Sequence, residues 1–307
     1  MRVVAVALVL VAHLIWQESP FVFGVPENLG PVINTSSFDG GPSLSADGLT
    51  LYLASARRGG VGGDDLWASI RRTQSDPWQP PVNLGSTVNS TAGDASPSIS
   101  SNGLELYFDS GRPGGQGSAD IWVTTRASTA DAWGTPRNLG PIVNSASPDS
   151  VPKLSADGLS LFFASSRPGG LGMRDVWIST RPSRAEPWHV PINLGPAVNT
   201  PENEWCPGIS PDGLTLIVNS TRPGGLGGED LWLTTRATRS SPWGPLIHLD
   251  ERINTSGEDA KPEFSADGST LLFMSTRPGG HGFFDIWQVS LLKARREGEG
   301  RYMSPFR

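Results

Sequence analysis

The sequence predicts an all-β protein, a five-bladed β-propeller with four antiparallel strands per blade and a ring closed by the amino-terminal strand. Three observations predict it. A step of 55 residues carries Trp78 to Trp133, Trp188 and Trp243, and Trp67 to Trp122, Trp177, Trp232 and Trp287. It also carries Arg57, Pro42 and Asn34 through five copies each, ending at Arg277, Pro262 and Asn254, with no insertion or deletion. Each copy alternates short apolar runs with glycine- and proline-rich turns and has no helical period. Finally, the copies are out of phase with the chain. Asn28-Leu29-Gly30 matches Asn83-Leu84-Gly85, Asn138-Leu139-Gly140 and Asn193-Leu194-Gly195, so an outer strand precedes the first whole copy, and the last copy stops after three strands.

The third copy shows the elements in order. Val151 to Ser155 reads as the first strand, and Ala156-Asp157-Gly158 turns the chain into Leu159 to Ser165. The loop Arg167-Pro168-Gly169-Gly170-Leu171-Gly172 returns it into Asp175 to Thr180. Val190 to Gly195 makes a fourth strand, and Pro191 suits it to a sheet edge because proline donates no ladder hydrogen bond. By the same register Phe21 to Gly30 completes the last blade, which removes the open ends a solenoid would have to cap. The propeller is expected over residues 20–291.

Residues 1–19 read as a leader: Arg2 precedes an apolar run from Val3 to Trp16, shorter than a bilayer span. Residues 292–307 form a basic tail. Cys206 is the only cysteine, which excludes an intrachain disulfide and a thiolate metal cluster. A net charge of -6 argues against nucleic acid and anionic membranes as partners.

The pattern S-x-D-G-x-x-L-x-x-x-S-x-R-P-G-G-x-G-x-x-D-[LIV]-W is carried by Ser155, Asp157, Gly158, Leu161, Ser165, Arg167, Pro168, Gly169, Gly170, Gly172, Asp175 and Trp177. It resembles the WD40-like propeller repeat of TolB-type proteins. That resemblance implies a platform for binding in the bacterial periplasm or outside the cell, and no particular reaction.

Most repeated residues serve the fold. A buried tryptophan removes about 150–250 Å² from water, worth roughly 4–6 kcal/mol, so the repeated indoles are read as cement between blades. Arg57 and Asp65, flanking one glycine loop, are expected to pair and brace it.

Two features go beyond the fold. Asp39, Asp94, Asp149, Glu204 and Asp259 each stand three residues before the proline of a first strand, which predicts an acid ring at one channel mouth. Like charges about 8 Å apart repel by roughly 2 kcal/mol at an effective dielectric of about 20, a repulsion that a cation or backbone amides would relieve. Calcium is the ion the ring would suit; no other cofactor is expected. The second feature is where the repeats disagree: Trp205 replaces a small residue, and Lys261 stands beside Glu258 in the last copy. Trp205, Glu202, Glu204, Lys261 and Glu258 are the candidate ligand residues, an aromatic platform with polar groups suited to a protein, peptide or glycan.

The expectation is therefore an exported, monomeric, non-catalytic binding module, not an enzyme. The alternative is a secreted glycan-processing enzyme that uses channel-mouth carboxylates, one to protonate the leaving oxygen and one to activate water or attack the sugar.

Overall fold

The computed structural model describes residues 19–293. All but the last residue of the expected leader and all but the first two residues of the basic tail lie outside them. The described chain is strands and turns, arranged as five antiparallel sheets. The inner strands are Asp39–Leu44, Asp94–Ile99, Asp149–Leu154, Glu204–Ile209 and Asp259–Phe264, and each touches the inner strands on both sides, the last touching the first. That contact circle is the propeller ring.

Blade 3 illustrates the local causes. Its inner strand, Asp149–Leu154, begins two residues before the expected start and pairs with Ser160–Ser165, which pairs with Asp175–Thr180. The outer strand keeps only Ile192–Asn193 in register, because Pro191 ends the ladder. Asn199 is buried and completes the edge: its side-chain oxygen accepts from the Val176 amide at 2.9 Å, and its Nδ2 donates to the Val176 carbonyl at 3.0 Å. The side chain thus does the work of a strand's backbone at a point where the chain itself has left the sheet.

The ring closes as the register predicts. Glu27 and Asn28 pair with Gln288 and Trp287, at the position that Ile192 and Asn193 hold in blade 3. The same third strand runs on to Lys293 and takes a further pairing from Phe21–Phe23. In the junction between blades 4 and 5, Phe21 and Phe23 pack with Phe264 and Ile217.

Every inner strand carries a bulge at one place, between the pairs Gly40–Ala54 and Ser43–Tyr52 in blade 1. The bulged residues are Gly41, Ser96, Val151, Cys206 and Lys261, with φ of 59°, 52°, 53°, 46° and 52°. Four of the five are not glycine, and Val151 is β-branched, so the ring holds a circle of strained backbone around the channel.

Candidate functional site

The five acids of the expected ring are each taken up within their own blade. Asp39, Asp94, Asp149, Glu204 and Asp259 are buried to 0% exposure, and each pairs with the arginine of its own blade, Arg57, Arg112, Arg167, Arg222 and Arg277. Asp39 also accepts from the Thr35 amide, the Thr35 hydroxyl and the Ser55 hydroxyl. The repulsion expected of the ring is relieved by guanidinium groups and loop donors within each blade. Among the described residues no group of His, Cys, Asp and Glu has the arrangement to hold a metal ion.

The expected pair of Arg57 and Asp65 does not form. Arg57 turns to Asp39, and Asp65 accepts from the Val61 and Gly62 amides of the glycine loop and from Asn83 Nδ2. The loop needs an acceptor for its inward amides, and a second arginine contact would leave Asp39 buried and uncompensated.

Of the other candidates, Glu202 is exposed, and its carboxylate has no hydrogen bond among the described residues. Trp205 and Glu258 stand near the starts of the inner strands, the upper face, and Lys261, also near a strand start, reaches away from them to blade 2. Around them stand residues the sequence reading missed. Trp205 pairs across its sheet with Asn219, and the Arg174 guanidinium lies 4.6 Å from the Trp205 ring centre. Asn219 Nδ2 donates to Glu229 at 2.8 Å, and Glu229 bridges in parallel to Glu258. Burial, then the Glu258 charge, pushes the Glu229 carboxyl up to about 7, against lowering by Asn219, by the nearby Trp205 N–H and by Arg174. Trp205 Nε1 stands near that carboxylate but short of hydrogen-bond geometry, and both it and Asn219 Oδ1 are buried without a partner among the described residues.

The opposite wall is built differently. Lys261 Nζ donates to Ser96 at 3.0 Å and lies 5.6 Å from the Phe38 ring centre. It reaches from blade 5 past blade 1 to blade 2, passing Gly41, where a Cβ would crowd Ser96 Cα at 3.3 Å. Asp109 accepts from the Val151 amide at 3.0 Å. Burial raises the Asp64 carboxyl, Lys261 lowers it, and Asp109 raises it again. Phe38, Phe284, Met274 and Ala260 form an apolar patch beside them. The mouth therefore offers carboxylates in unlike surroundings, an indole and two cations.

The signal that could have found these residues lay in the repeat itself. Glu229 occupies the position of Asp64, Ala119, Arg174 and Phe284, and Asn219 that of Ala54, Asp109, Ala164 and Met274. Both rows change chemistry from blade to blade as sharply as the row that holds Trp205.

Together these features define a five-bladed β-propeller with a chemically uneven channel mouth. No family model matches the sequence, and no curated protein matches it. Solved structures with this fold do. The α-L-arabinofuranosidase from Lactobacillus brevis overlays with a TM-score of 0.58 at 12% identity, covering 90% of this chain and 96% of that one. A thermostable family-43 glycoside hydrolase overlays at 0.56 and 13% identity, covering 92% and 98%. TolB from Acinetobacter baumannii overlays at 0.51 and 13% identity, covering 84% of this chain, which spans only 55% of that protein. These likenesses are of fold. They overturn the expectation of a non-enzyme, because glycoside hydrolases with this ring match the chain over nearly their full length.

Proposed function

We propose that the protein acts on glycans at the upper channel mouth, with Glu229 as proton donor. The observation that carries this reading is the setting of Glu229: its carboxyl is held by Asn219 Nδ2, bridges to Glu258 and stands beside the half-buried Trp205 indole, so a carboxyl and an aromatic face share one mouth. A sugar ring supplies both a hydroxyl acceptor and a hydroxyl donor, and its C–H face suits the indole. Glu229, with its carboxyl pushed up to about 7, keeps a proton near neutral pH as a general acid requires. Asp109, held by the Val151 amide on the far wall, is the second carboxylate of the reading. The fold likeness to arabinofuranosidases and family-43 hydrolases agrees with it.

Export to the periplasm or beyond belongs to the same proposal; among the described residues no helix is long and apolar enough to cross a membrane. A protein-binding role is the second reading, favoured by the overlay on TolB.

The test is release of reducing sugar from arabinan, xylan and galactan, and of phenol from the matching aryl glycosides. Activity that falls about a hundredfold or more in Glu229→Gln, with an alkaline limb near pH 7 in the parent, supports the reading. Activity on none of these, or an unchanged Glu229→Gln variant, would sink it.

A further inference from the structure

The opposite, lower face holds a feature that the upper-mouth reading does not use. There, a tryptophan of each of blades 1 to 4 packs back on the blade before it, under an arginine: Arg71 on Trp78, Arg126 on Trp133, Arg181 on Trp188 and Arg236 on Trp243, at 4.2 to 4.4 Å from the ring centres. The junctions differ in what crosses them. Between blades 2 and 3, Arg181 meets Glu105, Arg184 donates to Ser101, and Tyr107 fills the space against Trp188. Between blades 3 and 4, Arg239 pairs with Asp157, and Phe162 lies in the cluster with Trp243. These two junctions are clasped shut.

The junction between blades 5 and 1 has neither device. Gln74 stands where Arg184 and Arg239 stand, and it donates to Asp47 of its own blade. Leu272 stands where Tyr52, Tyr107 and Phe162 stand, so a ring's volume is missing beside Trp78. A cleft of about 320 Å³ lies at this unclasped junction. Its floor is Leu44, Leu272 and Val289; its walls include Ser45, Glu27, Gln74, Gln288 and Thr270. Arg71 lines it too, with Nε on the Gly48 carbonyl and no acceptor for either terminal nitrogen among the described residues. Arg236 shares those unmet nitrogens, but there Phe162 occupies the space. Across the Ser45–Gly48 turn, the junction between blades 1 and 2 also lacks the clasp, having Thr129 at that position, and holds an apolar cleft under Tyr52 and Trp133.

We propose that the cleft between blades 5 and 1 is a second ligand site, for one residue of a neutral oligosaccharide whose chain continues over the Ser45–Gly48 turn into the apolar cleft. The half-buried Arg71 guanidinium opens on the cleft and offers donors to a ligand's acceptor oxygens. Hydroxyl, amide and carboxylate walls require a ligand that both donates and accepts, and an apolar floor takes the C–H face of a sugar ring. Glu27 and Asp267 at the rim disfavour an anion. The site is independent of chemistry at the upper mouth.

The repeat supplies its own blocking variants. Gln74→Arg places an arginine opposite Asp267, the blade 5 counterpart of the Asp157 that Arg239 grips, and Leu272→Tyr restores the missing ring. Both fill the cleft with side chains the fold already accommodates elsewhere. Binding of arabino-, xylo- and cello-oligosaccharides is measured by calorimetry on the full chain in a Glu229→Gln background, which separates this site from hydrolysis above. The expected result is binding in Glu229→Gln that weakens tenfold or more when either blocking change is added. The proposal is overturned if no neutral oligosaccharide binds, if binding is indifferent to both changes, or if the cleft takes peptides from a random library and no sugar. Since Gln74→Arg lies far from Glu229, its hydrolysis of short aryl glycosides stays at the parent's level. Absence of hydrolysis in the parent, with oligosaccharide binding that both blocking changes weaken, would instead count against the upper-mouth reading alone.

Discussion

Lys153 of blade 3 and Glu263 of blade 5 form an ion pair across the central channel, past blade 4. Gly208 makes the crossing possible, since it stands at their level in blade 4 and carries no side chain. Ser43 Oγ donates to Glu263 from blade 1 and accepts from the Ile99 amide of blade 2, so the pair belongs to a hydrogen-bonded girdle around the ring. With Lys261 reaching Ser96 nearer the upper mouth, side chains bridge the channel at two levels. Its upper mouth is thus a bowl with a floor.

Breaking that pair should be costly. Burial pushes the Lys153 ammonium down to about 7, and contact with the Glu263 carboxylate favours its charged form. Lys153→Met leaves a buried carboxylate uncompensated and is expected to cost about 3–5 kcal/mol in urea unfolding. The double variant Lys153→Met with Glu263→Leu should recover most of that loss. Gly208→Ala provides a control, because its Cβ would meet the Pro262 carbonyl oxygen at 2.4 Å and destabilise the ring without touching a charge. A single variant as stable as the parent would show that the pair adds nothing to the ring.

The repeat made the fold legible because a strict step announces identical units, and the offset of Asn28 announced how they close. Pairing within a unit was another matter. Asp39 and Asp65 recur at the same step as Arg57, so periodicity alone could not say which acid the arginine meets; the folded loop decides it, because its own amides and Asn83 take Asp65 and leave Arg57 to Asp39. The upper mouth was legible in part for a related reason. Trp205 and Lys261 broke their rows conspicuously, whereas Glu229 and Asn219 sit in rows that vary in every blade, and which rows face the channel depends on the bulge at Gly41 and its counterparts.

Ring acids should matter for stability whatever ion is present. Asp94→Asn removes the charge that compensates Arg112 and weakens the hold on Ser90, whose amide and hydroxyl both donate to it. A loss of about 3 kcal/mol is expected for Asp94→Asn, and more for its pairing with Asp149→Asn. Thermal unfolding with calcium and with EDTA should show the same loss in both. A loss confined to calcium-containing buffer would mean that the ring holds an ion after all.

Stability should also depend on pH through Glu229. Its carboxyl titrates at about 7 in the folded protein against an ordinary value of 4.5. The folded state therefore holds the proton more tightly, and the stabilisation is complete below about pH 4.5 and lost as pH rises through about 7. Discounted for partial exposure, the change is about 2 kcal/mol. Glu229→Gln cannot titrate and should flatten that part of the curve, leaving the variant the more stable of the two at pH 8. Parallel curves for parent and variant would place the Glu229 titration at its ordinary value and withdraw its candidacy as proton donor.

Ring closure predicts a difference between two chemically identical asparagines. Asn28 Nδ2 donates to Asp285 at 2.9 Å, and its Oδ1 accepts from the Gly30 amide and from Asn34 Nδ2. Asn193 makes the same three bonds with Asp175, Gly195 and Asn199 inside blade 3. Each alanine variant loses comparable contacts, about 1–3 kcal/mol, with Asn34 or Asn199 left short of a partner. Only Asn28 joins segments distant in sequence, since Asp285 lies at the other end of the ring. Removing the Asn193 bonds loosens a blade whose neighbours still hold it. Removing those of Asn28 loosens the clasp on which the circle depends, so amide exchange should quicken along Asp285–Lys293 and along Glu27–Asn28 together. In Asn193→Ala the faster exchange should stay within blade 3. Equal and local effects in both variants would mean that packing of Phe21 and Phe23 against Phe264 holds the ring closed without the asparagine.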